Sequence, residues 1–130
     1  MAMGWLVKVI CALSGLFLVA LGVWAMADPV SFYEQLATFP PYNAHLFHDV
    51  GAFQIGLGAA LLLPLVMKDM ALLGLTAVGA GAVLHAISHV IDRELGGRTS
   101  DPYLLGAFAL VLIVGAVLRA RELSARRNQP

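Results

Sequence analysis

Residues 44–91 read AHLFHDVGAFQIGLGAALLLPLVMKDMALLGLTAVGAGAVLHAISHVI. A single charged pair, Lys68-Asp69, separates two apolar runs, and each run is long enough to cross a hydrocarbon core of about 30 Å. So short a turn predicts an antiparallel pair of membrane helices. His45 and His48 open the first run, and His85 and His89 close the second. The four histidines are therefore expected at the same membrane face.

Two further runs of the same kind flank this hairpin. Residues 9–27 and 103–118 carry no charged side chain. Of the 130 residues, 60% are hydrophobic and 12% are charged, whereas about a quarter of the residues of a soluble domain are charged. The composition predicts an all-α protein, a four-transmembrane-helix bundle in residues 1–122 with a basic cytoplasmic tail in residues 123–130.

Cap and breaker residues predict where the helices begin and end. Asp28-Pro29 favours the start of a short interfacial helix between the first and second long helices. Asn43 is expected to cap the second long helix, whose last turn Pro64 should disturb. Asp101-Pro102 repeats the cap-plus-proline pattern and predicts the start of the fourth long helix.

Charged side chains divide unequally between the two expected membrane faces. The side of the termini has six basic and two acidic residues, and the histidine side has two basic and six acidic residues. Because cytoplasmic loops are enriched in Lys and Arg, we expect a multi-pass protein of the cell membrane with both termini cytoplasmic. The pattern contains no basic surface typical of nucleic-acid binding. The basic residues on the side of the termini are Lys8, Lys68, Arg119, Arg121, Arg126 and Arg127.

The hairpin also predicts which residues share a depth and a face. Equal depth should place His48 near His89 and Gly56 near Gly81. On each helix, histidines and an aspartate lie above a face of small residues. Because small residues let membrane helices approach closely, the second and third long helices are expected to bring these polar groups together. The candidate metal ligands are His45, His48, Asp49, His85, His89 and Asp92.

Three interpretations of this cluster stay open at the level of the sequence. The residues can form a packing network, because buried polar groups must be satisfied. They can bind a divalent transition metal, for which neutral imidazole is the commonest ligand and an aspartate a direct or supporting one. His48 and His89 can also ligate a haem, although tight packing of small residues disfavours the necessary gap. Cys11 is the only cysteine, which excludes dithiol exchange within this chain.

The order of features resembles a known family. Residues 15–22 read GLFLVALG, residues 28–33 read DPVSFY, and residues 51–58 follow the pattern GxxxxGLG ahead of a third helix that closes in histidine. This order resembles the DoxX-like family of small four-helix integral membrane proteins. Typical members have a Glu where this chain has His48-Asp49.

The resemblance implies a four-helix bundle in the lipid bilayer and a redox-associated function, since some members accompany quinone-linked sulfur oxidation or oxidative-stress complexes. Membrane protein partners or a homo-oligomer fit such a role. The alternative is a non-enzymatic structural or accessory subunit of a larger membrane complex, in which the histidine cluster is a packing network.

Overall fold

The computed structural model describes residues 3–67 and 70–128, and within them it contains helices and no β-strand. Four helical spans of 21 to 27 residues are long and apolar enough to cross a membrane, and the second, Ala44–Leu65, joins an α-helix to a 3₁₀ turn. The predicted all-α bundle is therefore confirmed, including the short helix after the first span, and the chain is a multi-pass membrane protein. The helices are α1 (Trp5–Ala27), α2 (Pro29–Gln35), α3 (Ala44–Leu62), α4 (Ala71–Ile91) and α5 (Asp101–Arg127).

The helix ends follow the cap and breaker residues. The Asp28 carboxylate accepts a hydrogen bond from the Ser31 N–H at 3.1 Å, and the Asn43 side chain accepts one from the Leu46 N–H at 3.3 Å. Pro64 lies in a 3₁₀ turn, Leu63–Leu65, that ends the second span, because proline offers no N–H to the α-helical ladder. The predicted Lys68-Asp69 turn lies outside the described residues. At the other end, α5 continues to Arg127, so residues 123–127 extend the last helix.

Glycines bring α1 and α3 into backbone contact. A methyl group on Gly58 would lie 2.7 Å from the Gly15 carbonyl oxygen, and one on Gly22 would lie 2.6 Å from the Gly51 carbonyl oxygen. The two glycines are seven residues apart on each helix, so they lie on one face. Packing therefore pairs α1 with α3, while α4 pairs mainly with α5 and α1 also touches α5.

The predicted close contact between Gly56 on α3 and Gly81 on α4 is wrong. A methyl group on either glycine would meet no atom of the described residues within 4 Å. Gly56 lies one turn outward from Ala60 on the same side of α3. It is exposed, because α4 does not reach it at this depth. The two helices instead meet towards the termini, where a methyl group on Gly74 would lie 2.8 Å from the Ala60 carbonyl oxygen.

A buried charged residue ties the first and last helices together near the termini. Arg119 of α5 is buried, and its guanidinium donates to the Glu122 carboxylate at 2.8 Å. The same carboxylate oxygen of Glu122 accepts the Gly4 N–H at 3.3 Å. A charge inside a membrane bundle is expensive unless it is paired. Glu122 thus balances the charge of Arg119 and anchors the start of α1.

The glycine contact between α1 and α3 predicts that the same substitution at two glycines of α3 changes the stability differently. Gly58→Ala should lower the free energy of unfolding by about 1–3 kcal/mol, because the added methyl group overlaps the α1 backbone. Gly56→Ala adds the same methyl group where the chain leaves open space, so it should be neutral or slightly stabilising. Unfolding by SDS titration of single chains in mixed micelles measures both. Equal losses for the two variants would contradict the backbone contact.

Candidate histidine–carboxylate site

The last turns of α4 and the first residue of α5 form a polar cluster on the histidine side. The Nε2 atoms of His85 and His89 lie 3.2 Å apart. On its other side, His89 faces Asp101, with 3.8 Å between Nδ1 and Oδ2. The His89 and Asp101 side chains are only 16% and 14% exposed. The His89 ring therefore stands between a second imidazole and a carboxylate, and we name these three residues the H/H/D site.

The connection between α4 and α5 positions Asp101. The Arg98 N–H donates a hydrogen bond of 2.8 Å to the Asp101 carboxylate. Gly97 precedes it with a φ of +78°, a conformation that side chains other than glycine rarely adopt. A methyl group on Gly97 would also lie 3.1 Å from the Asp101 carboxylate and 2.7 Å from the Phe39 ring. Glycine thus lets the loop turn tightly enough to hold Asp101 beside His89.

The segment after α2 covers one side of His89. Phe39 meets the His89 ring edge to face, with 5.4 Å between ring centres. The Gly97 N–H donates to the Thr38 carbonyl at 3.1 Å, and the Arg98 guanidinium donates to the Gln35 carbonyl. Backbone and side-chain hydrogen bonds therefore fasten this cover to the α4–α5 loop.

The three predicted ligands on α3 lie elsewhere. His45 and Asp49 face each other, with 3.6 Å between Nε2 and Oδ2, and their side chains are 84% and 54% exposed. His48 is also exposed. These residues lie on the side of α3 that carries Gly56, outward from the contact between Ala60 and Gly74.

The six predicted ligands are thus divided within one chain. The structure brings His85 to His89 and His45 to Asp49, while Asp92 ends α4 and forms no ion pair with a histidine in the described residues. Within residues 3–67 and 70–128, no three His, Cys, Asp or Glu side chains are grouped so as to hold a metal ion. Metal binding by the six residues stays a prediction.

Asp101 is the site residue that the sequence interpretation missed. Asp101-Pro102 was recognised as a helix start, and α5 does begin there. What the pattern did not reveal is that the start of α5 returns to the end of α4. The pair of glycines in the connection, Gly96 and Gly97, was the available signal, because adjacent glycines indicate a tight turn. Both adopt a positive φ in the structure.

Comparison with known proteins finds no matching family model, and neither a curated protein nor a solved structure matches the chain. The H/H/D site therefore has to be interpreted from its own chemistry.

The contact between His85 and His89 predicts energetic coupling. Once either residue is replaced by Leu, replacing the other should cost about 0.5–1.5 kcal/mol less than it does alone, because their shared hydrogen bond is already lost. Unfolding of the two single variants and the double variant in micelles holding one chain measures this coupling.

The control is the pair His48→Leu and His89→Leu, since these two side chains are not hydrogen-bonded to each other. Their effects on the unfolding free energy should add within about 0.5 kcal/mol. Coupling of His48 to His89 as strong as that of His85 to His89 would contradict the division of the histidines into two groups.

Proposed function

We propose that this chain is a metal-binding integral membrane protein, with His85 and His89 as ligands of a divalent transition metal. The observation that carries the proposal is the 3.2 Å separation of their Nε2 atoms. With zinc–nitrogen bonds of about 2.0–2.1 Å, that separation corresponds to a nitrogen–metal–nitrogen angle of about 100°, close to tetrahedral. Two imidazoles one helical turn apart can therefore share an ion without a change in backbone.

Asp101 supports this proposal as a residue that orients a ligand. A histidine that binds a metal through one ring nitrogen usually donates its other N–H to a carboxylate, which sets its tautomer and raises its basicity. Asp101 lies on the Nδ1 side of His89, opposite the Nε2 atom that faces His85. The hydrogen bond from the Arg98 N–H keeps the carboxylate in this position.

The membrane setting forms the second part of the proposal. The excess of basic residues on the side of the termini supports cytoplasmic termini in the cell membrane, with the H/H/D site at the outer face. The resemblance to the DoxX-like family supports a redox-associated setting for the protein. A haem between His48 and His89 stays a prediction that no observation tests.

An accessory subunit of a larger membrane complex is the second candidate function. It is favoured by the exposed Gly56 and Gly81 faces, because small residues are the usual contact surface between membrane helices. In that case the contact between His85 and His89 is a hydrogen bond that stabilises the end of α4. The two functions differ in whether the purified protein binds a transition metal.

Zinc binding to the purified protein tests the first function. Titration calorimetry of metal-free protein with Zn²⁺ should show binding that His85→Leu and His89→Leu abolish. Asp101→Asn should weaken the zinc affinity by about 10–100-fold, the usual effect of losing a carboxylate that supports a ligand. Asp92→Asn is the matched control and should leave the affinity unchanged, since Asp92 has no ion pair with either histidine in the described residues. Equal zinc affinity in the wild type and His89→Leu would refute the assignment.

Labelling of introduced cysteines tests the orientation. In a Cys11→Ala background, a membrane-impermeant maleimide added to intact cells should label Thr99→Cys and leave Ser124→Cys unlabelled. Both positions are exposed; Thr99 lies two residues before α5, and Ser124 lies in its last turn. The reverse pattern would place the H/H/D site in the cytoplasm and contradict the proposed orientation.

A further inference from the structure

The H/H/D site offers an incomplete set of ligands within one chain. Protein zinc sites have four ligands, of which at least three usually come from side chains. Here two imidazole nitrogens lie 3.2 Å apart, and the described residues hold no group of three candidate ligands. Asp101 lies behind His89 and faces its other ring nitrogen. If the site binds a metal as proposed, a further protein ligand has to come from elsewhere.

The unused ligands of this chain lie on α3. His45, His48 and Asp49 are all exposed, and none of them contributes to the H/H/D site. They share one face of α3 with Ala52 and Gly56, which are also exposed. Imidazole and carboxylate at the surface of a membrane-spanning helix are costly to leave against lipid. This face therefore has the chemistry of a ligand donor and the small residues of a helix–helix contact.

The face of α4 next to His85 has a matching character. Ala77 and Gly81 precede His85 on this face, and all three residues are exposed. The described residues leave at least 4 Å of open space around a methyl group placed on Gly81. Within one chain α3 does not cover it, because the contact between the two helices, Ala60 against Gly74, lies nearer the termini.

Depth in the membrane allows two copies to combine these faces. Where α3 and α4 meet, Gly74 lies against Ala60. Counting twelve residues outward along each helix, about 18 Å at 1.5 Å per residue, leads to His48 on α3 and Ala86 on α4. Ala86 lies in the turn between His85 and His89. An assembly whose symmetry axis runs along the membrane normal keeps this depth relation between copies.

We infer that a second copy of this chain completes the metal site, with its His48 adding a ligand to His85 and His89 and its His45 and Asp49 beside them. The inference rests on the proposed metal-binding function. The partner is a second copy because each chain carries both halves of the site at one depth, each half bordered by small residues. Each contact between copies then builds a site from α4 of one copy and α3 of the other.

Cross-linking tests the contact without requiring a metal. In the Cys11→Ala background, chains carrying Ala52→Cys are reconstituted together with chains carrying Gly81→Cys and then oxidised. A covalent dimer of the two different chains is expected, because the substituted residues lie at similar depth on the two faces. The matched control is Phe53→Cys with Ala80→Cys, an exposed pair at the same depth that points about 100° away on each helix. The control pair should give no dimer above background.

Zinc titration tests whether the copies share the site. Wild-type protein reconstituted with two or more chains per nanodisc should bind Zn²⁺ at least tenfold more tightly than protein with one chain per nanodisc. His48→Leu should remove this gain in the multi-chain discs and have no effect in the single-chain discs. The single-chain discs thus serve as the control for any effect of His48→Leu on folding.

The outcomes separate the shared site from metal binding itself. Equal zinc affinity in single-chain and multi-chain discs, or no cross-link above the control pair, overturns the shared site and leaves the proposed function in place. No zinc binding in any preparation overturns the proposed function and the shared site with it, whether or not the cross-link forms. A cross-link together with a gain in affinity that depends on His48 supports both.

Discussion

The backbone contact between α1 and α3 is the interaction on which the rest of the arrangement depends. In a bilayer, lipid tails are as apolar as the helices, so close van der Waals packing has to supply much of the association energy. Gly15 against Gly58 and Gly22 against Gly51 provide that packing along two turns of each helix. The side chains of His45 and His48 lie outside this contact and are exposed. Since α3 meets α4 nearer the termini, at Ala60 and Gly74, the histidines of α3 and α4 form two separate groups.

The H/H/D site depends on the second pair of helices. Packing of α5 on α4, together with the glycine turn at Gly96 and Gly97, returns Asp101 to the end of α4. His89 then has a carboxylate on one ring nitrogen and an imidazole on the other. Phe39 closes one side of this arrangement from the segment after α2. All three residues of the H/H/D site therefore come from a single helical hairpin, and Phe39 covers them from outside it.

Local features of the sequence were enough to predict the helices and their ends. Asp28, Asn43 and Pro64 act within a few residues of their position, and each does what its chemistry requires. The choice of neighbours was not predictable in the same way, because α3 has glycines on two faces. The equal seven-residue spacing of Gly15–Gly22 and Gly51–Gly58 distinguishes the face that packs, but only when two separate helices are compared. Asp101 was missed for a similar reason, since its contact with His89 depends on the path of the loop between α4 and α5.

The hydrogen bond from Gly4 to Glu122 spans 118 positions of the chain. Ribosomal synthesis and membrane insertion proceed from the first helix to the last, so α1 and α3 can associate while α5 is still being made. Arg119, by contrast, enters the bundle together with the carboxylate that neutralises it, three positions further along the same helix. The hydrogen bond between Gly4 and Glu122 is therefore a late contact, because the start of α1 gains this partner only when the final helix is in place. A chain halted before Glu122 would leave the start of α1 without this anchor.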